Sequence, residues 1–271
     1  MMSRSQKIKL NDNEDKIVAF LDVLGFKKII SNKKETEKYF NEVISEIEIL
    51  KTAKNGDQIR LQAVLISDSI VLSYPFEKKI ENLKELIVAV AKIQSRLALQ
   101  GIWLRGAITI GELEIQNFQG AQVVVGQGLV QAYEIETQLA IYPRVIFDAR
   151  VFKILNTSRA ELISKLKINS ITLKEALYDP MGDDSREGFA LNSLLISDAI
   201  WVNYLELIVL NKEKLKTFCE KLKSQMYESQ THFVKYKWVQ SYLYALMHRN
   251  DVINFYGPEE FKKQLEIISN L

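Results

Sequence analysis

Two aspartates stand where a carboxylate is costly unless it has a partner. Asp22 ends an otherwise apolar, strand-forming run, Ile17–Asp22. A buried carboxylate there needs a cation or hydrogen-bond donors, although Asp22 could also cap the segment that follows. Asp68 lies in the turn Ser67-Asp68-Ser69, where aspartate is also a common turn residue. Together the two carboxylates could form an oxygen-rich site for Mg²⁺ or Mn²⁺.

The order of predicted elements would bring both carboxylates to one edge of a sheet. The patterns predict a strand at Ile17–Asp22, a helix at Glu35–Lys51 and a hairpin of Ile59–Ile66 with Ile70–Ser73. They predict a second helix at Lys79–Leu99 and a further strand at Ile102–Ile110. This βαββαβ order is typical of an α+β, ferredoxin-like fold. In such a sheet the first strand and the hairpin are neighbours, so Asp22 and Asp68 are expected at the same end.

Further elements are predicted after this core. We expect Glu112–Ile115 to pair with the strand before it through a bend at Gly111, followed by a loop, a helix over Leu129–Ile141 and a strand over Arg144–Phe147. Polar and helix-breaking residues at Tyr178–Ser185 suggest a boundary region, and we divide the chain into residues 1–155 and 156–271.

The second part is predicted to be a mostly helical extension packed on the core. Its helices are expected at Lys212–Tyr227, Thr231–His248 and Glu259–Leu271. The apolar run Phe189–Leu210 fits either a strand or a buried helix, because periodicity does not separate the two at this length.

Composition excludes several classes of protein. The 271 residues are 47% hydrophobic and 26% charged, which is typical of a globular domain. The formal net charge of +2 gives no basis for a nucleic-acid or membrane partner. Cys219 is the single cysteine, so cysteine zinc sites are excluded, and His232 and His248 would point to nearly opposite faces of one helix. No P-loop, signal peptide or membrane span is visible, which predicts a cytoplasmic protein.

Several short segments resemble the motifs of class III nucleotidyl cyclases, in the same order. Ala19–Phe26 resembles their first metal motif, Ile66–Ile70 the second, and Arg105–Ile108 with Gly111 the segment that follows. The match is closer to the Pycsar pyrimidine cyclases of bacterial antiphage defence, whose hallmarks resemble Ser67–Ser69, Arg105–Ile108, Ala132–Glu136, Tyr142–Val145 and Val234–Trp238. The resemblance runs from about Ile17 to Asp148, with the last segment as a separate island.

The resemblance implies a cyclase fold with residues 1–155 as the catalytic core. It implies conversion of a pyrimidine nucleoside triphosphate, with UTP favoured and CTP as the alternative, into the 3′,5′-cyclic monophosphate and pyrophosphate. The product would be a second messenger in antiphage defence. By the same likeness, the protein would be a homodimer with each active site completed across the interface.

The resemblance also implies how the substrate is held. Two Mn²⁺ or Mg²⁺ ions would be bound by Asp22, Asp68 and the backbone carbonyl of Val23. The bound ions would activate the ribose hydroxyl and stabilise the leaving pyrophosphate. Backbone amides of the next residues would hold the polyphosphate at a helix start, namely those of Leu24, Gly25 and Phe26.

One departure concerns the cation that stabilises the transition state. Purine-specific class III enzymes carry an Asn and an Arg four residues apart, where this chain has Val130 and Glu134. Arg105 is the first candidate to replace that arginine, with Arg144 and Lys27 behind it, although Arg105 could equally form a salt bridge at a strand end.

Base and phosphate recognition have several candidate residues. Tyr133 or Tyr39 could narrow the pocket for a pyrimidine, although aromatic residues at helical spacing are also typical of a core. Glu136 could accept a hydrogen bond from a base amine or pair with a lysine on the helix face. Lys235 or Lys237 could reach phosphate, although their spacing suits a helix packed on the body.

Other functions remain open at this point. A purine cyclase is disfavoured by the missing Asn and Arg, and a diguanylate-cyclase relative by the absence of its signature hairpin. A catalytically inactive cyclase fold, serving as a nucleotide-binding or assembly module, would have no physical reason to keep both Asp22 and Asp68.

Overall fold

The computed structural model describes residues 14–52, 61–118, 121–167, 176–180, 199–228 and 230–271. The strands within them are β1 (Asp15–Val23), β2 (Gln62–Ile66), β3 (Ser69–Pro75), β4 (Leu104–Glu112), β5 (Glu114–Phe118), β6 (Ala121–Val125), β7 (Val145–Phe147), β8 (Leu177–Tyr178) and β9 (Ile200–Val202).

Helices surround these strands on both sides and make up most of the C-terminal part. They are α1 (Phe26–Ile30), α2 (Lys33–Thr52), α3 (Lys79–Leu99), α4 (Gln127–Leu139), α5 (Arg150–Ile154), α6 (Arg159–Lys165), α7 (Glu206–Val209), α8 (Lys212–Met226), α9 (Gln230–Met247), α10 (Asn250–Tyr256) and α11 (Pro258–Ser269). No helix in the described ranges has the length and apolar character needed to cross a membrane.

The central sheet has the order β2-β3-β1-β4-β7-β9-β8. Strand β1 pairs antiparallel with both β3 and β4, while β4 pairs parallel with β7. The mainly antiparallel sheet confirms the predicted α+β class and the βαββαβ core, and the helical C-terminal part is confirmed as well. Because β1 lies between the hairpin and β4, its end is flanked by both.

Alternation along β1 decides which face carries the site. Val18 and Phe20 are buried with Ala132 of α4 on one face of the sheet. The intervening side chains pack with α2 and α3 on the other face, and they are Ile17, Ala19, Leu21 and Val23. Since successive side chains of a strand point to opposite faces, Asp22 belongs to the α4 face.

The predicted pairing of Glu112–Ile115 with the preceding strand is wrong. Strand β5 pairs instead with β6, in a separate two-stranded sheet, and β6 occupies the segment expected to be a loop. Strand β1 pairs along all of β4, and β7 pairs with its other edge only at Gly106, Ala107 and Ile108. Sequence alternation locates strands but does not identify their partners.

The ambiguous run Phe189–Leu210 contains both predicted kinds of structure. Strand β9 joins the central sheet, and α7 follows it, while residues 189–198 lie outside the described ranges. The predicted boundary loop is also split, because Tyr178 belongs to β8 and residues 181–185 are outside the description. The division at residue 155 stays a prediction, although β8 and β9 from beyond it extend the sheet.

The C-terminal helices enclose a core of their own, rich in aromatic side chains. Trp201 of β9 packs against Trp238 and Tyr242 of α9, with ring centroids 5.3 and 5.5 Å apart. Trp103, just before β4, contacts Phe218 of α8 at 5.5 Å. This aromatic core therefore fastens α8 and α9 to the same end of the sheet where β1 ends.

Candidate functional site

Asp22 meets Arg105 across the β1–β4 pair. The two residues are register partners, and Arg105 Nε donates a hydrogen bond of 3.0 Å to Asp22 Oδ2. The strand-end salt bridge considered for Arg105 is therefore present. Because both side chains are largely buried, this pair is screened less than a surface ion pair.

Glu136 completes the contact from α4. Its Oε1 lies 2.7 Å from Arg105 Nε, and its side chain is only 3% exposed. One guanidinium therefore holds two carboxylates, and Glu136 pairs with this arginine rather than with a lysine on its own helix. A sequence signal was available, because Gly128, Ala132 and Glu136 recur every four residues and form the buried face of α4.

Asp68 lies beside this group at the β2–β3 turn. Ser69, the next residue, is the register partner of Asp22, so the hairpin brings Asp68 to the same edge of the sheet. The turn has only two residues, and Ser67 adopts a left-handed φ of 57°, as tight hairpin turns require. The structure therefore brings together the two carboxylates that are remote in sequence.

Burial and mutual repulsion set the protonation of this cluster. Burial raises the pKa of Asp22, the charge of Asp68 adds to the increase, and Arg105 opposes it. Burial also raises the pKa of Glu136. The charge of Arg105 again opposes this increase, and the charges of Asp22 and Asp68 add to it. Burial disfavours the ionised form of these carboxylates, and a cation bound beside them would stabilise that form.

The turn after β1 has one amide already engaged. Leu24 N–H donates to the carbonyl of Trp103 at 2.9 Å, so the structure removes this amide from the expected phosphate-binding set. Gly25 has a left-handed φ of 76°, and Phe26 is anchored with its ring 5.6 Å from that of Tyr39. The amides of Gly25 and Phe26 stand at the start of α1, where a helix provides no internal acceptors.

The two candidate tyrosines occupy different environments. Tyr39 is fully buried and packs edge-on against Phe26 and Phe40, so its ring belongs to the core. Burial, together with the charges of Asp68 and Asp22, raises the pKa of its phenol. Tyr133 is 54% exposed and lies over Phe20 on the α4 face, with ring centroids 5.7 Å apart.

Arg144 is placed in the aromatic core and not in the acidic cluster. Its guanidinium carbon lies 5.4 to 5.6 Å from the rings of Tyr142, Trp201 and Trp238, and the residue is 7% exposed. Burial lowers its pKa to about 10. The substrate-binding role expected for Arg144 is therefore not supported, because cation–π contacts already hold its side chain.

Lys235 is the C-terminal residue that shares the electrostatics of the site. Burial and the charge of Arg105 lower the pKa of Lys235, and the charges of Asp22 and Glu136 offset this shift only in part. Lys235 is half-buried, whereas Lys27, the other lysine considered, is exposed on α1. The sequence suggested a phosphate contact for Lys235 without indicating which residues it would face.

The donor set fits a hard divalent cation. Asp22, Asp68 and the carbonyl of Val23 offer only oxygen, which Mg²⁺ and Mn²⁺ prefer. Arg105 occupies Oδ2 of Asp22, which leaves Oδ1 outside that contact. Within the described ranges no group of three or more His, Cys, Asp or Glu side chains could hold a metal, so the remaining ligands would come from the carbonyl, water and substrate phosphates.

Comparisons with known proteins give structural likeness only. No protein-family model matches the chain, and no curated protein matches it. The fold is similar to the adenylyl cyclase CyaB from P. aeruginosa, with a TM-score of 0.38, 11% identity and coverage of 54% of this chain and 82% of that one.

Two guanylyl cyclase domains are similar to the same extent. That of RhGC from Catenaria anguillulae, solved in complex with GTP, has a TM-score of 0.41 and 14% identity over 53% of this chain and 82% of that one. That of the RhoGC fusion protein from Blastocladiella emersonii has a TM-score of 0.39 and 14% identity, covering 53% and 84% of the two chains. Each likeness covers about half of this chain.

Proposed function

We propose that this protein is a metal-dependent nucleotidyl cyclase that acts on a pyrimidine nucleoside triphosphate, UTP in preference to CTP. The observation that carries the proposal is the meeting of Asp22 and Asp68 at one edge of the sheet, beside Arg105 and Glu136. Asp22 and Asp68 lie in segments that resemble the two metal motifs of class III cyclases. Buried carboxylates gathered around a single guanidinium are arranged to receive further positive charge.

The cluster divides into residues that bind and residues that position. Asp22, Asp68 and the Val23 carbonyl would hold two Mn²⁺ or Mg²⁺ ions, which supply charge neutralisation and a more acidic ribose 3′-hydroxyl. Arg105 positions Asp22 through its hydrogen bond, and Glu136 positions Arg105 in turn. In this arrangement Arg105 supports the metal ligand and is not free to follow the phosphate.

The reaction is an in-line displacement at the α-phosphorus. The bond from O3′ to the α-phosphorus forms, and the bond from that phosphorus to the α,β-bridging oxygen breaks, so pyrophosphate leaves with the electron pair. The proton of the 3′-hydroxyl is lost to water. The amides of Gly25 and Phe26 bind the polyphosphate at the start of α1, where hydrogen-bond donors and the helix dipole favour anions.

The exposed surface of α4 would be covered by a second copy of the chain. Tyr133 and Val130 project from α4, and Val125 ends β6 just before it, all with at least 40% of their surface exposed. Such neighbouring apolar side chains on one face support a protein interface. The homodimer, with Tyr133 bordering the nucleotide base, and the role of the product in antiphage defence are proposals that the sequence resemblance suggests.

The proposal is tested by incubating the purified protein with UTP, CTP, ATP and GTP separately, each with Mn²⁺, and identifying products by mass spectrometry. We expect a 3′,5′-cyclic pyrimidine nucleotide and an equal amount of pyrophosphate, with more product from UTP than from CTP. Product from ATP or GTP alone would instead favour a purine cyclase. No product under any condition would favour a catalytically inactive nucleotide-binding module.

A further inference from the structure

Helix α9 lies over the turn that follows Asp22. A Cβ atom built on Gly25 would be 3.7 Å from His232 Cε1, so the first turns of α9 cover this glycine. Tyr236 contacts the ring of Trp103 with centroids 5.7 Å apart. His232, Lys235 and Tyr236 are three and four residues apart and share one helix face, so Lys235 is carried on the face that is turned to the β1 end.

Further contacts hold the end of α8 and the residues that lead into α9 in this position. Gln225, near the end of α8, accepts a hydrogen bond of 2.6 Å from Trp103 Nε1 and donates one of 2.8 Å to the carbonyl of Gly101. Glu228, between the two helices, forms an ion pair with Lys28 of α1. The C-terminal helices are therefore tied to both segments that border Asp22 and Arg105.

Two lysines on α9 differ sharply in their surroundings. Lys237 Nζ donates to Gln240 at 2.8 Å and lies 5.7 Å from the ring of Phe233, on its own helix. Lys235 is half-buried near Asp22, Glu136 and Arg105, and within the described ranges its ammonium makes no hydrogen bond or ion pair. A half-buried ammonium without a close partner is costly, and a bound phosphate would supply one.

We infer that Lys235, supplied by the C-terminal helix α9, binds the substrate triphosphate and neutralises the charge that develops at the α-phosphorus. This inference rests on the proposed cyclase function and deepens it. Purine cyclases carry an arginine on the helix corresponding to α4, where this chain has Glu134. Arg105 is held by Asp22 and Glu136, and Arg144 by aromatic rings. Lys27 is exposed on α1, whereas Lys235 is half-buried and its charge interacts with those of Asp22 and Glu136.

The inference gives the C-terminal part a direct role in catalysis. The site would be incomplete without α9, although the segments that resemble cyclase metal motifs all lie before residue 150. A merely structural Lys235 would instead balance the charge of the buried carboxylates. Its loss would then lower stability and leave phosphate affinity unchanged in the folded protein.

The test compares Lys235→Met and Lys235→Arg with the matched control Lys237→Met. We measure kcat and KM for the preferred nucleotide, thermal stability, and the affinity for inorganic tripolyphosphate with Mn²⁺ by calorimetry. For Lys235→Met we expect about a 10²-fold loss of kcat, the scale for removing one preorganised charge-stabilising donor. We also expect about tenfold weaker binding of tripolyphosphate, which corresponds to about 1.4 kcal/mol.

The other two variants separate a phosphate contact from a structural one. Lys235→Arg keeps the positive charge and should recover most of the tripolyphosphate affinity, while Lys237→Met should match the wild-type protein in kcat, KM and tripolyphosphate affinity. The inference is overturned if Lys235→Met keeps kcat and tripolyphosphate affinity within twofold of wild type. It is also overturned if activity falls only in proportion to the folded fraction.

The binding measurement separates this inference from the proposed function. If the wild-type protein forms no cyclic nucleotide, cyclase activity is refuted, and tripolyphosphate binding alone then decides on Lys235. In that case weaker binding by Lys235→Met, with Lys237→Met unchanged, still supports a phosphate contact. Equal affinities for all three proteins refute it.

Discussion

Replacing Asp22 or Asp68 with asparagine should lower turnover by about 10³-fold while the protein stays folded. Asparagine keeps the size of the side chain and, at position 22, an oxygen that can accept from Arg105. It removes the negative charge that holds a divalent cation. Metal ions contribute several kcal/mol of transition-state stabilisation, and each ~1.4 kcal/mol corresponds to a tenfold change in rate. Initial rates at saturating Mn²⁺ and nucleotide measure the loss.

Folding of the Asp22 variant can be predicted separately. Because burial raises the pKa of Asp22, the folded state retains a proton to higher pH than the unfolded chain, and stability falls as pH rises through that range. A neutral amide avoids this loss. The melting temperature of Asp22→Asn at neutral pH should therefore equal or exceed that of the wild type.

Asp15→Asn is the matched control, since Asp15 is exposed at the opposite end of the same strand. We expect wild-type turnover and stability from it. Near-normal turnover in either Asp22→Asn or Asp68→Asn would show that the metal assignment is wrong, independently of the turnover of Asp15→Asn.

Gly106→Ala should destabilise the protein by about 3 kcal/mol, at the upper end of the usual cost of overpacking. A Cβ atom at this position would lie 2.1 Å from the carbonyl oxygen of Phe20 and 3.1 Å from Leu21 Cα. These are backbone atoms of β1, so strands β1 and β4 would have to separate beside Asp22 and Arg105. Urea unfolding followed by circular dichroism measures the change, and turnover should fall with it.

Gly257→Ala provides the comparison for the cost of an alanine substitution alone. Gly257 has a left-handed φ of 74°, but a Cβ atom there would meet nothing within 4 Å. The expected cost is the conformational one, about 1 kcal/mol. If Gly106→Ala unfolded at the same urea concentration as Gly257→Ala, the close approach of β1 to β4 would not cause the additional loss of stability that we expect.

The sequence was informative about elements with strong local patterns. Strand β1, the β2–β3 hairpin and helices α3, α8 and α9 all appear close to their predicted positions, because apolar periodicity and turn residues are local signals. The pairing of β5 with β6 was missed, since pairing depends on which strand edges are already occupied elsewhere in the sheet.

The site was predictable only in part, for a related reason. Asp22 and Asp68 could be singled out because the predicted strand order brings them to one end of the sheet and because both lie in segments that resemble known metal motifs. The contact of Arg105 with Glu136 joins β4 to α4, and the charge of Lys235 on α9 interacts with those of Asp22 and Glu136. Such contacts depend on how helices pack on the sheet, which a single sequence does not specify.

Arg144 shows the opposite error, in which a sequence candidate is taken up by the core. The family resemblance suggested Arg144 as a ligand contact, but Trp201 and Trp238 come from distant segments and enclose its guanidinium. These two rings lie beyond residue 155, so two of the three aromatic partners of Arg144 come from the part predicted to be an extension.

Counting bound Mn²⁺ by electron paramagnetic resonance tests the central claim most directly. The titration uses the full chain with 3′-deoxy-UTP, an analogue that lacks the attacking hydroxyl and does not cyclise. We predict two bound Mn²⁺ per protomer in the wild-type protein and in Asp15→Asn, and fewer than one in the Asp22→Asn, Asp68→Asn double variant. An unchanged count in the double variant, or no bound Mn²⁺ in the wild type, would contradict the assignment of these two aspartates as metal ligands.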